Sequence, residues 1–137
     1  MKILISLVLI SIIIFSCKNV TGEQQDKLLT DVFNLHDELM KSYVPLNSMH
    51  SQLKTLLTKS DSIPNGFTKE DVIEAANHTE KAYNDMGDWM KDFKVPENLN
   101  KADKVKYLTD QKTKLEKLKE DTQRAISEAN AIIHIKK

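Results

Sequence analysis

Residues 28–56 read LLTDVFNLHDELMKSYVPLNSMHSQLKTL, and their apolar side chains return at a helical spacing. From Leu28 to Leu56 there are eight steps of three or four residues, 3.5 on average. This period is typical of one face of a helix packed against other helices, and it differs from the alternation of a strand. The apolar seam consists of Leu28, Val32, Leu35, Leu39, Tyr43, Leu46, Met49, Leu53 and Leu56.

Pro45 interrupts this pattern without ending it. A proline inside a helix removes one backbone hydrogen bond and clashes with the carbonyl four residues earlier, here that of Lys41. We therefore expect a kink or a break near Tyr43 and Val44.

Two more helical segments follow the first. Thr68 and Asp71 have the spacing of a capping box, and Asn100 is a good N-cap for a third helix. The second seam contains Val72, Ala76, Thr79, Tyr83, Met86, Met90 and Phe93, and the third contains Val105, Leu108, Gln111, Leu115, Leu118, Thr122, Ala125, Ala129 and Ile132. Because the connections are short, the sequence predicts an all-α fold: an elongated, antiparallel, up-down-up three-helix bundle whose first helix is kinked at Pro45.

The composition excludes several other classes of protein. The chain has 137 residues, with 20 basic and 20 acidic side chains, so no basic surplus indicates a nucleic-acid partner. Three Gly and three Pro provide too few turns for a β-sandwich or barrel. The single Cys excludes an internal disulfide and a CxxC metal or redox site.

The first seventeen residues, MKILISLVLISIIIFSC, have the pattern of an export signal. The apolar run from Ile3 to Phe15 is 13 residues long, too short for a bilayer span of about 20 residues but suitable for a signal peptide. Ser16 and Cys17 end it in a sequence that resembles a relaxed bacterial lipobox, in which the cysteine is lipidated and becomes the first residue of the mature chain. The alternative is an ordinary N-terminal membrane anchor with an incidental Cys.

This interpretation divides the chain into three parts: a signal peptide (1–16), the lipidated Cys17 with a short tether (17–22), and the helical bundle (23–137). The tether is short enough to hold the bundle close to the bilayer. We expect a lipid-anchored protein of the cell envelope, on the periplasmic face of the outer membrane.

Motifs for catalysis are absent from the sequence. It contains no GxSxG, no Walker loop and no HExxH, and no His is preceded by the Glu of an ExxH di-iron motif. We therefore predict a protein that is not an enzyme and needs no cofactor.

Methionine and histidine side chains offer one candidate binding site. If the first two helices form a hairpin that turns near residues 63–64, Met49 and His50 face His78, and Met40 faces Gly87. Thioether, imidazole and indole groups together suit Cu(I) or Ag(I), although methionine is also a common gap-filler in helical cores. The candidate ligands are Met40, Met86, Trp89, Met90, His36, His50 and His78.

Ser62 is a candidate site of modification. Asp61, Ser62 and Ile63 resemble the acceptor pattern for O-glycans on exported proteins of the Bacteroidota. The motif falls in the long loop between the first two helices, which also needs polar residues for its own solvation.

The sequence as a whole resembles a group of short Bacteroidota lipoproteins labelled "viral A-type inclusion protein". The resemblance rests on the lipobox, on LHDELM at 35–40, on DMGDWMKDF at 85–93 and on the final Lys/Glu-rich helix. It implies a coiled-coil-like protein with no established activity, and it points to Trp89 as the most distinctive residue.

The function predicted from these observations is that of a structural or interaction module with an unidentified protein partner. Two alternatives stay open: a soft-metal or stress-related binding protein, and a carrier or chaperone of an apolar ligand or a client helix.

Overall fold

A computed structural model describes residues 22–59 and 63–134. Within these ranges the protein consists of three helices and no strand: α1 (Gly22–Thr58), α2 (Lys69–Asp92) and α3 (Lys101–Ile133). All three helices pack against one another. The prediction of an all-α three-helix bundle is confirmed.

The buried core shows the direction of each helix. At one end of the bundle, Leu53 of α1 packs with Val72 of α2 and Ile132 of α3. In the middle, Leu46 packs with Ala82 and Ala125, and at the other end Val32 and Leu39 pack with Met86, Trp89 and Leu115. Residue numbers fall along α2 as they rise along α1 and α3, so the topology is up-down-up, as predicted.

Two ion pairs between α1 and α3 have the same sequence offset. Lys112 Nζ lies 2.8 Å from an oxygen of Asp31, and Lys119 Nζ lies 2.8 Å from one of Glu38. Each pair joins residues 81 positions apart, as expected for parallel helices in a fixed register. The hydrogen bond from Lys112 lowers the pKa of Asp31 and raises the pKa of Lys112 itself.

The apolar seams predicted from the sequence form the core. Val32, Leu39, Leu46 and Leu53 of α1 are buried and recur every seven residues. In α3 the predicted seam is buried from Leu108 to Ile132, with Leu118 half-buried. The second seam was incomplete, because α2 also buries Ala75, Ala82 and Trp89. α2 therefore presents a wider apolar stripe, which contacts both other helices.

The predicted caps are present. Thr68 accepts a hydrogen bond from Asp71 N at 3.1 Å, and Asp71 accepts one from Thr68 N at 2.7 Å, which completes a capping box. At the start of α3, Asn100 accepts a hydrogen bond from Asp103 N at 3.0 Å. Both caps satisfy backbone N–H groups that a helix N-terminus leaves without intrahelical partners.

α1 continues through Pro45 to Thr58 without the break that the sequence also allowed. Pro45 and Val44 face solvent, and Val44 is 75% exposed. The missing hydrogen bond therefore lies on the outer side of the helix, where water can reach the carbonyl of Lys41.

No helix in the described ranges is both long enough and apolar enough to cross a bilayer.

Candidate functional site

Trp89 is the centre of the most elaborate side-chain cluster in the described part of the chain. Its indole Nε1–H donates a hydrogen bond to Gln111 Oε1 at 3.0 Å, between α2 and α3. Its ring stacks on Phe93 with centroids 4.7 Å apart, and the ring of His36 from α1 lies 5.8 Å away. All three helices thus contribute to fixing the position of the indole.

Phe93 extends this cluster to the end of α2. It forms an edge-to-face contact with Phe33 of α1 at 6.1 Å and stacks with Tyr107 of α3 at 6.3 Å. The Tyr107 hydroxyl accepts a hydrogen bond from Lys94 N at 3.4 Å, just beyond α2. These contacts join the connection between α2 and α3 to the aromatic cluster.

An open groove of about 450 Å³ runs between α2 and α3 beside the indole. Its floor is formed by Trp89, Tyr107, Gln111 and Leu118. Carboxylates of α2 stand along one wall and lysines of α3 along the other. These charged side chains are Asp85, Asp88 and Asp92 on α2 and Lys114 and Lys117 on α3. The groove therefore combines a mainly apolar floor with one mainly acidic and one mainly basic wall, in which Lys81 of α2 and Asp121 of α3 have the opposite sign.

Asp85 and Asp121, which also line this groove, are neutralised within the protein. Lys81 forms a salt bridge with Asp85 one turn along α2, and this bond raises the pKa of Lys81. Asp121 lies 3.5 Å from Arg124. In the described part of the chain Asp88, Asp92, Lys114 and Lys117 have no such partner.

The register predicted for the first two helices is close to the observed one, but the residue opposite Gly87 is different. We expected Met40 there. A β-carbon at Gly87 would lie 3.7 Å from the hydroxyl oxygen of Tyr43, with no other non-local atom of the described chain within 4 Å. Tyr43 stacks on Tyr83 at 4.1 Å. Its hydroxyl passes Tyr83 because helical side chains lean toward the N-terminus of their own helix, and α2 runs antiparallel.

The methionines proposed as soft-metal ligands lie in or near apolar surroundings. Met86 is fully buried against Val32, Leu39 and Leu115, and Met90 is half-buried against the same cluster. Met40 is half-buried on α1. The surroundings of Met86 are those of a core residue that fills space between helices.

The three candidate histidines have separate hydrogen-bond partners. His36 Nδ1 lies 3.0 Å from Asp37 Oδ1, next to it on α1. His50 Nδ1 lies 3.0 Å from the carbonyl oxygen of Ala76, which can only accept, so His50 donates. His78 Nδ1 lies 2.5 Å from Glu128 Oε2 on α3. Among residues 22–59 and 63–134, no three His, Cys, Asp or Glu side chains form a group suited to a metal ion.

Two other candidate residues, Cys17 and Ser62, lie outside the described residues. Phe33 and Tyr107 were not predicted from the sequence as members of the aromatic cluster. Each directly adjoins a seam residue, Val32 or Leu108, and this position beside an apolar stripe was the only signal in the sequence.

Comparison of the chain with protein-family models, with curated proteins and with solved structures found no match.

Proposed function

We propose that this protein is a non-enzymatic, lipid-anchored interaction module of the cell envelope. Cys17 carries the lipid, residues 1–16 are the export signal, and the helical bundle is the part that meets a partner. The main support is the position of the only Cys, which follows an apolar run of signal-peptide length after one small residue, Ser16, and precedes the first residue of α1 by five positions.

The topology of the bundle supports a specific orientation toward the membrane. α1 starts at Gly22, so the end of the bundle that holds this residue is tethered to Cys17 by a short segment. Five extended residues reach at most about 18 Å. The connection between α2 and α3 lies at the same end, together with the aromatic cluster of Trp89 and Phe93. The aromatic end therefore faces the bilayer, and the loop after α1 points away from it.

The resemblance to short Bacteroidota lipoproteins agrees with this proposal. Its most distinctive stretch, residues 85–93, includes Trp89 and Phe93 and forms one wall of the groove between α2 and α3. We therefore assign the interaction to this part of the bundle.

Substitution of the lipidated cysteine tests the proposal. We expect Cys17→Ala to accumulate as uncut precursor that incorporates no labelled palmitate. Lys18→Ala is the matched control, because it changes the neighbouring residue and leaves the cysteine in place. Palmitate labelling and normal processing of Cys17→Ala would exclude lipid attachment at this residue.

Fractionation tests the location. The protein is expected in outer-membrane fractions, with the bundle protected from added protease in intact cells and digested after the outer membrane is permeabilised. Recovery in the inner-membrane fraction, or digestion in intact cells, would contradict the proposed periplasmic face of the outer membrane.

A further inference from the structure

We propose that the groove between α2 and α3 binds a small amphoteric ligand: a molecule the size of a dipeptide, with an ammonium group, a carboxylate and an apolar side chain. In this arrangement the ammonium group lies against the aspartates of α2 and the carboxylate against the lysines of α3. The apolar side chain covers Trp89. The inference rests on the groove alone and does not depend on how the protein is anchored.

Four charged side chains that line the groove have no ion-pair partner in the described part of the protein. Asp88 and Asp92 are one turn apart on α2, and Lys114 and Lys117 are one turn apart on α3. None of these four side chains forms an ion pair or hydrogen bond in the described part of the chain, whereas Asp85 in the same wall is paired with Lys81. They remain available for a ligand that carries both charges.

The antiparallel register places one acidic side chain of α2 at about the level of one basic side chain of α3. Trp89 donates a hydrogen bond to Gln111, and Met86 and Leu115, one turn further along the two helices, belong to the same core cluster. Between these two contacts, the register brings Asp88 level with Lys114. No ion pair joins these two side chains in the described part of the chain.

The size and floor of the groove favour a small ligand. Its volume of about 450 Å³ falls within the range of roughly 300–1,000 Å³ typical of small-molecule sites. The floor includes the side chains of Trp89, Tyr107 and Leu118, and Trp89 is 9% exposed there because Phe93 and His36 pack on its ring. An extended dipeptide spans about 7 Å from its ammonium to its carboxylate, a suitable length to bridge two neighbouring helices about 8–10 Å apart.

Trp89 gives a direct readout of occupancy, because it is the only tryptophan of the chain. The probe is the dipeptide Leu-Phe, which does not fluoresce when the indole is excited, and the protein is the full chain purified in detergent. We expect a saturable change in Trp89 emission. The matched ligand is N-acetyl-Leu-Phe-amide, which keeps both apolar side chains and has neither charge, and it should bind at least tenfold more weakly.

Charge-neutralising variants test which residues hold the ligand. Asp88→Asn/Asp92→Asn and Lys114→Gln/Lys117→Gln should each weaken Leu-Phe binding about fivefold, as expected for partly exposed ion pairs. Raising the salt concentration should weaken binding to the unsubstituted protein as well. Lys54→Gln/Glu80→Gln is the control, since it removes one charge of each sign from exposed sites that do not line this groove, and it should bind normally.

Three results would overturn the proposal. One is the absence of a saturable signal up to 10 mM Leu-Phe in both fluorescence and calorimetry, with circular dichroism showing an intact bundle. Another is equal affinity for the charged and the blocked dipeptide, which would leave apolar contact as the whole interaction. The third is unchanged affinity in both groove variants. None of them affects the lipidation assay with Cys17→Ala, so failure of this proposal is separable from failure of the proposed anchor.

Discussion

The indole nitrogen of Trp89 on α2 donates a hydrogen bond of 3.0 Å to the side-chain oxygen of Gln111 on α3, and both residues are buried. Gln111 lies in the buried seam of α3, whose other described members are apolar apart from Thr122. A buried indole N–H needs an acceptor, and the glutamine supplies one from the neighbouring helix. This hydrogen bond fixes the register of α2 against α3 and the position of the indole ring beside the groove.

Removal of this acceptor should destabilise the bundle. Gln111→Met keeps the length of the side chain but leaves the indole N–H unsatisfied, so we expect the free energy of unfolding to fall by about 1–3 kcal/mol. Urea unfolding followed by circular dichroism measures the loss. In the double variant Trp89→Phe/Gln111→Met the two losses should be less than additive, because the first substitution already removes the donor. Additive losses would show that water replaces the glutamine.

Thr122 differs from Gln111, because its buried hydroxyl oxygen has no hydrogen-bond partner in the described part of the chain. Thr122→Val keeps the shape and removes the unsatisfied group, so the free energy of unfolding should rise by about 1 kcal/mol. Thr79→Val is the matched control, because the buried hydroxyl of Thr79 donates to the carbonyl of Ala76 at 2.8 Å and its loss offers no such gain. A larger gain at Thr79 than at Thr122 would contradict this explanation.

Gly87 can be replaced to stabilise α2. A β-carbon there would make an ordinary contact of 3.7 Å with Tyr43, and alanine is favoured over glycine in a helix interior by about 1 kcal/mol. We expect Gly87→Ala to raise the melting temperature. Gly66→Ala is the contrasting variant: Gly66 has φ of +92°, a conformation that favours glycine, and the substitution should lower the melting temperature. A lower melting temperature for Gly87→Ala would mean that Tyr43 cannot tolerate the added methyl group.

The capping box at the start of α2 should make stability depend on pH. Hydrogen bonds from the backbone N–H and the hydroxyl of Thr68 lower the pKa of Asp71. A group whose pKa is lower in the folded state stabilises the fold above its unfolded pKa, about 3.9, and this contribution disappears as the pH falls through the lowered value. Asp71→Asn should therefore be less stable than the unsubstituted protein at pH 7, and the difference should shrink below pH 4 in urea unfolding.

Asp31 provides an independent check on that titration. The hydrogen bond from Lys112 also lowers the pKa of Asp31. The free energy of unfolding of Asp71→Asn should therefore still fall at acid pH, and this fall should be smaller in Asp31→Asn/Asp71→Asn. A constant difference between Asp71→Asn and the unsubstituted protein from pH 7 to pH 2 would exclude the carboxylate of Asp71 as a source of acid sensitivity.

The helices, their caps and most of the core could be predicted from the sequence because each depends on residues close together in the chain. The period of α1, the capping residues Thr68 and Asn100, and the seam position of Gln111 are all local patterns. The residue that a seam side chain contacts on another helix lies far from it in the sequence. Nothing in the sequence distinguishes Trp89 as the donor to Gln111, and Trp89 lies outside the seven-residue repeat of Val72, Thr79 and Met86 that defines the predicted second seam.

The sequence by itself determined three helices, their directions and an approximate register, since spacing, caps and short connections are sufficient for these. Only the tertiary structure decided which side chain reaches Gly87, which acceptors the histidines have, and where the groove lies. These depend on how side chains lean along antiparallel helices, and a shift of one turn, about 5.4 Å, changes every contact. The Tyr43 hydroxyl therefore lies nearest to Gly87, where Met40 was expected, and charges of α2 and α3 that have no ion pair in the described part of the chain line one groove that no motif had indicated.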